Sequence, residues 1–222
     1  TRKESSAASD VYKRQTTRDA ATNPFINLYE NVLLSTENWQ DYDVVGISIV
    51  GISQIIPGLT LARMIKEKYP HLHITLGGPI FSVNAGQLIG HPEFFDDFCH
   101  SVVTFEGEEP MHRLLSALKA GDSLSTVPNL LHLEDREVVQ NKERVELKFE
   151  ELPHPDFDGL PMDKYLSPYP ILPVLQSRGC YWGKCTFCTH SFVYGHRYGK
   201  QKTQAMVDEL EKLMKKDNTK YF

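Results

Sequence analysis

Three of the four cysteines fall within nine residues, Cys180-Tyr-Trp-Gly-Lys-Cys185-Thr-Phe-Cys188. Three thiolates on one short loop can bite a single soft metal centre, and an iron–sulfur cluster or zinc is the usual occupant in a reducing compartment. A disulfide fits poorly, because one cysteine is left over and the neighbours are very close in sequence. The count is informative. Fully protein-ligated clusters usually take four cysteines, and a closed zinc site takes four Cys or His ligands. Three cysteines on a four-iron cluster leave one iron with an open position for a small molecule. A Cys3His zinc site would recruit His190 or His196 instead, and the chain would then read as a non-catalytic, flavodoxin-like ligand-binding module with a zinc-stapled extension. Three unligated core cysteines are a poorer reading, since the Tyr, Trp, Gly, Lys and Thr between them show no apolar period.

With Ser177-Arg-Gly-Cys180 leading into Cys185-Thr-Phe-Cys188, the sequence resembles the radical S-adenosylmethionine superfamily, whose common pattern is C-x3-C-x-aromatic-C. Phe187 fills the aromatic position. One extra residue separates Cys180 from Cys185, a variant similar to some cobalamin-linked subfamilies, including ones that modify ribosomal peptides, and Gly183 gives the longer arm slack. The resemblance implies that Cys180, Cys185 and Cys188 each hold one iron of a 4Fe-4S cluster. The fourth iron would chelate the amino and carboxylate groups of S-adenosylmethionine. Reductive cleavage of its sulfonium bond would give a 5′-deoxyadenosyl radical, and in methyltransferring relatives cobalamin carries the methyl group. An electron donor such as flavodoxin or ferredoxin and a small-molecule or peptide substrate are implied as partners. The cofactors supply the chemistry; the protein supplies position and exclusion of water.

Upstream, the pattern alternates strand and helix. Apolar residues at helical spacing from Asn23 to Leu34 predict a helix, with Asn23 as cap and Pro24 at its first position. The continuous apolar run Asp43 to Val50 reads as a strand covered on both faces. A helix from about Gly58 to Tyr69 and a strand from His73 to Leu76 complete a βαβ unit. A loop-and-helix segment from Phe81 to Phe98, a strand from Ser101 to Phe105 and a helix from about Pro110 to Ala120 continue it. Asn129 to Leu133 and Val138 to Asn141 flank Glu134-Asp135-Arg136-Glu137 as a hairpin. The expected class is α/β: a doubly wound, Rossmann-like or flavodoxin-like parallel sheet, followed by the first βα unit of a partial TIM-type barrel.

Ligands of such sheets bind at the carboxyl ends of the strands, where this chain carries Gly51, Gly77-Gly78 and Gly107. The segment resembles cobalamin-binding domains. Ser48-Ile-Val50 is similar to their Ser-x-Leu element, and Gly77-Gly78 sits at about the family's distance downstream. Glu106-Gly107-Glu108 is similar to the Gly-Glu-Gly-Glu turn of cobalamin-linked radical enzymes, with Glu106 departing from the first glycine. The resemblance thus implies Ser48, Gly77, Gly78, Gly107 and Glu108 as cobalamin contacts. The family's Asp-x-His-x-x-Gly loop, whose histidine ligates cobalt in some members, does not occur here. Cys99 reads as a small buried hydrophobe.

The expected organisation is a non-native or disordered tail over 1–15, an N-terminally incomplete cobalamin-binding-like domain over 16–149, a Pro-rich linker over 150–173, and the start of a radical core domain over 174–222, truncated and inactive alone. Leu152-Pro-His-Pro155-Asp resembles the bridge between the two domain types. Ile171 to Leu175 is expected to form the strand that delivers the cysteine loop, Gln201 to Lys216 a helix, and Lys220-Tyr-Phe222 the start of another strand. The 24 basic and 29 acidic residues give −5, with no basic excess for nucleic acid. No apolar run approaches the roughly 18 residues of a membrane span, and no leader is visible, so a cytoplasmic compartment is the default.

Overall fold

The computed structural model describes residues 14–217 and 219–222, and the chain divides into one compact unit ending at Val145 and another beginning at Glu146. The tail expected over 1–15 lies, through residue 13, outside the described residues.

Helix α1 runs as Pro24–Leu28, a π-turn at Tyr29–Leu33 and a last turn at Leu34–Thr36. The Asn23 side chain caps it by accepting from the Phe25 N–H at 3.1 Å, and Pro24 opens the first turn where a missing N–H costs nothing. Then come β1 (Val44–Ser48), α2 (Ile55–Lys68), β2 (His73–Gly77), α3 (Pro79–Leu88), α4 (Pro92–Phe98) and β3 (Ser101–Val103). The segment read as a loop and helix over Phe81 to Phe98 is two helices, each opened by a proline. Helix α5 (Glu108–Ala120) ends on Gly121 in the left-handed conformation, and the hairpin β4 (Leu130–Glu134) and β5 (Glu137–Gln140) follows.

The five strands lie in sequence order; β1, β2 and β3 run parallel, and β4 and β5 return antiparallel. Helices cover both faces, as the α/β class requires. On one face Ile49, Ile74, Leu76 and Val102 pack with Leu59, Ala62 and Ile65 of α2 and Phe95 and Phe98 of α4. On the other, Val103 and Leu130 pack with Leu114 and Ala117 of α5. Strand β1 differs from expectation. It lies at the edge of the sheet, and one of its faces, Gly46, Ser48 and then Val50, is exposed. The two-residue hairpin loop puts Asp135 and Arg136 at φ 49° and 65°, the primed turn that matches strand twist.

In the second unit, β6 (Ser177–Gly179) pairs antiparallel with β7 (Tyr198–Lys200), the short helix α6 (His190–Val193) lies between them, and α7 spans Thr203–Asp217. The apolar run from Ile171 does not form the strand expected to deliver the cysteines; Ile171 makes a single parallel bridge to Tyr221 across α7. The described residues therefore contain one strand–helix–strand crossing and no closed barrel. The Pro-rich segment lies along α7, with Lys216 Nζ 3.1 Å from Asp156 and 2.8 Å from Asp158, and His154 Nδ1 3.0 Å from Glu209. Among the described residues, no helix is long and apolar enough to cross a membrane.

Candidate functional site

The cysteine loop is closed at its base by the short β6/β7 ladder, in which Ser177, Arg178 and Gly179 face Lys200, Gly199 and Tyr198. Residues 180–197 therefore begin and end at adjacent points. Gly179 makes this closure possible: its φ is +84°, and a Cβ there would stand 2.0 Å from the Arg197 carbonyl oxygen. No other residue fits between those backbones. Gly183 is also left-handed, at φ +61°, and its N–H points at the Cys180 Sγ at 3.5 Å. The longer arm between Cys180 and Cys185 turns at Gly183 in this left-handed conformation.

All three loop thiols are free; Cys180 is half-buried, while Cys185 and Cys188 are exposed. Phe187 and Tyr181 between them are 88% and 83% exposed, so the loop tip is an apolar surface in water. Among the described residues, no three His, Cys, Asp or Glu side chains stand together in metal-holding geometry. Neither His190 nor His196 completes such a set. His190 lies against the Tyr194 ring at 4.8 Å, and His196 is left-handed with its N–H bonded to the Ser191 carbonyl. The donor chemistry nonetheless suits an iron–sulfur group: three thiols outside any disulfide, two of them exposed, on a loop closed at its base by the β6/β7 ladder.

The second set of residues lies at the carboxyl edge of the sheet. Ser48 and Gly77 are register partners at the ends of β1 and β2, so the structure brings these two side by side. Gly78 follows at φ +107°, and a Cβ on it would stand 2.3 Å from the Ile49 carbonyl oxygen. Its lack of a side chain is thus required by the protein's own backbone. Gly77 and Gly107 differ: a Cβ on either meets nothing nearer than 3.7 Å and 3.8 Å. Packing does not demand glycine there, which leaves the approach of a ligand as a reason for it. Gly107 caps α5 and the exposed Glu108 is its first residue.

Residues beside this edge escaped the sequence reading. Phe105 holds φ 61°, which costs a bulky L-residue about 1–2 kcal/mol, and its N–H donates to the buried Ser82 Oγ at 2.7 Å. The Arg144 guanidinium lies 3.7 Å above its ring. Asn129, also left-handed and buried, donates from Nδ2 to the Glu106 and Val145 carbonyls and accepts from the Val145 N–H. The left-handed position beside this turn is thus Phe105, one residue before Glu106. No sequence signal marks Phe105, because phenylalanine is a poor left-handed residue.

At the opposite, amino-terminal side, Lys66 Nζ caps the end of α4 on the carbonyls of Phe95, Asp96 and Cys99 at 2.5–3.0 Å. Burial, reinforced by that ammonium, lowers the pKa of His73 and His100 to about 4. Cys99 is fully buried, which pushes its thiol far up, in keeping with a packing role.

No protein-family profile matches the chain. It is 30% identical over 172 residues to an uncharacterized methyltransferase of Pyrococcus horikoshii, a match covering 77% of this chain and 36% of that protein. Among solved structures it resembles the radical S-adenosylmethionine methyltransferase TsrM from Kitasatospora setae, solved with cobalamin and a [4Fe-4S] cluster bound, with TM-score 0.54 and 20% identity over 83% of this chain and 39% of that one. It also resembles the cobalamin-dependent S-adenosylmethionine radical enzyme OxsB with aqua-cobalamin bound, with TM-score 0.64 and 24% identity over 87% of this chain and 25% of that one. At such identities the solved structures establish a shared fold. The chain spans about a third of the length of its methyltransferase relative and carries the α/β architecture of these larger enzymes.

Proposed function

We propose that the chain is part of a cobalamin-dependent radical S-adenosylmethionine methyltransferase. The observation that carries this reading is the set of three free thiols on one pinned loop, a donor set left one short of closure. The methyltransferase relative and the fold shared with cobalamin-dependent radical enzymes support it. When bound, the cluster and cobalamin supply electron and methyl transfer, and S-adenosylmethionine supplies the radical and the methyl group.

The chain's own residues hold and orient these groups. Cys180, Cys185 and Cys188 present three sulfurs, and the Gly183 N–H, directed at the Cys180 Sγ, orients that side chain. Tyr181 and Phe187, exposed beside them, are placed to exclude water once a cofactor sits on the loop. At the sheet's carboxyl edge, Ser48 and Gly77 offer a flat, side-chain-poor surface, with Gly107 and Glu108 opening α5 beside it, a surface suited to cobalamin. The substrate is a small molecule or a peptide, and an electron donor such as flavodoxin or ferredoxin reduces the cluster.

Anaerobic reconstitution with iron and sulfide tests the reading. Broad absorbance near about 400 nm, lost together in the Cys180→Ala, Cys185→Ala and Cys188→Ala variants, is the expected result. One tightly held zinc per chain, or iron uptake indifferent to the three substitutions, overturns it.

A further inference from the structure

Three features converge on residues 197–199, the far end of the cysteine loop. Arg197 Nε lies 2.7 Å from the Glu146 Oε2, and its Nη1 donates to the Leu147 carbonyl at 3.4 Å. Two residues on, Gly199 lies so close over the buried Phe149 that a Cβ would stand 2.8 Å from the Phe149 Cβ. On its other side the Arg197 carbonyl faces Gly179, the residue before Cys180. The segment 146–149 thus grips β7 from one side while β6 pairs with it from the other. A three-residue ladder of Ser-Arg-Gly on Tyr-Gly-Lys has little intrinsic strength, because isolated two-stranded pairs are marginal and glycine weakens both strands.

We infer that Glu146 and Phe149 form a latch that holds β7 in register, and are positioning residues for the cysteine loop. They touch no thiol. They act through the Arg197–Gly199 backbone, whose place fixes the distance between the two ends of the 180–197 loop. The part of the inference that concerns cluster retention rests on the proposed cluster site; the part that concerns the ladder does not.

The test uses the whole chain with Phe149→Ala, Phe149→Leu, Glu146→Arg, Arg197→Glu and the Glu146→Arg/Arg197→Glu double variant. Amide exchange across 177–200 in the metal-free protein is the first measurement. Phe149→Ala and each single charge reversal should speed it by roughly tenfold or more, with exchange in β1 to β3 unchanged. The double reversal and Phe149→Leu should restore much of the protection. The second measurement is iron per chain and the low-temperature electron paramagnetic resonance signal after anaerobic reconstitution and reduction. Loosened variants should retain several-fold less iron, and the double reversal should recover it. Wild-type exchange over 177–200 in Phe149→Ala and in both charge reversals overturns the latch. Faster exchange with wild-type iron retention and signal also overturns its positioning role. If the wild-type chain takes up no iron, the cluster reading falls, and the latch stands or falls on the exchange data alone.

Discussion

Replacing Gly179 by alanine sets a methyl carbon 2.0 Å from the Arg197 carbonyl oxygen and asks an L-residue to hold φ at +84°. The conformational part costs about 1–2 kcal/mol. The contact is between backbone atoms, so no rotamer change relieves it, and the ladder must part at the Gly179–Tyr198 pair. Each backbone hydrogen bond lost there adds about 1 kcal/mol, giving roughly 3 kcal/mol or more in all. Gly159 supplies the control. Its φ is +83°, but a Cβ there meets nothing within 4 Å, so Gly159→Ala pays the conformational part alone. The difference of about 2 kcal/mol corresponds to roughly thirtyfold in the equilibrium population of the opened ladder. Amide exchange over 177–200 reads that ratio directly, and iron per chain after reconstitution reads its consequence for the thiols. Equal exchange and equal iron retention in the two variants would refute the argument that Gly179 closes the loop.

Other consequences are equally open to measurement. Gly78→Ala, with its Cβ 2.3 Å from the Ile49 carbonyl oxygen and φ at +107°, should cost at least about 3 kcal/mol in urea unfolding, whereas Gly77→Ala should cost under about 1 kcal/mol and instead weaken cobalamin binding followed in the visible spectrum. Equal stability of the two variants would contradict the close-approach argument. Arg136→Gly relieves φ 65° in the primed turn and loses only the exposed ion pair to Asp96, so it should stabilise the first unit by about 0.5–1 kcal/mol; a lower melting temperature would count against it. His73 and His100 bind their protons near pH 4 when folded and near 6.5 when unfolded. Between those values the unfolded chain takes up protons that the folded one does not, so their contribution is complete above about pH 6.5 and is lost as pH falls toward 4. Both rings keep some water contact, which trims the loss to about 1–2 kcal/mol each. The urea midpoint of a His73→Asn/His100→Asn variant should therefore fall less between pH 7 and 4.5 than that of the wild type.

Much of the first unit was legible because its signals are local. Asn23-Pro24 announces a capped helix start, and the apolar runs ending at Ser48 and Gly77 announce strands. The hairpin around Asp135-Arg136 was legible from its flanks, although the turn lacks the glycine its geometry favours. The exposed face of β1 was not legible, because a run of Val-Val-Gly-Ile-Ser does not say whether a strand is central or at an edge. In the second unit the cysteine spacing was visible at once, but the ladder that closes the loop was not. Ser-Arg-Gly and Tyr-Gly-Lys have no apolar alternation, and they pair because Phe149, some fifty positions before β7, fills the space beneath Gly199. Conversely, the strongly apolar stretch from Ile171 makes only one bridge, because pairing depends on a partner at Tyr221 and not on its own hydrophobicity.

The glycines show why composition alone misleads about a binding edge. Gly77 and Gly78 are adjacent and chemically identical, and sequence reasoning assigned both to a ligand. Geometry separates them: Gly78 is spent on the protein's own Ile49 carbonyl, while Gly77, beside Ser48, has room for a methyl group. A substitution that destroys the fold at Gly78 is therefore uninformative about cobalamin. The same logic separates Gly179, which closes the cysteine loop, from the thiols it presents. Loss of iron in Gly179→Ala with all three cysteines intact would show that the loop's closure, as well as its donors, governs cluster retention.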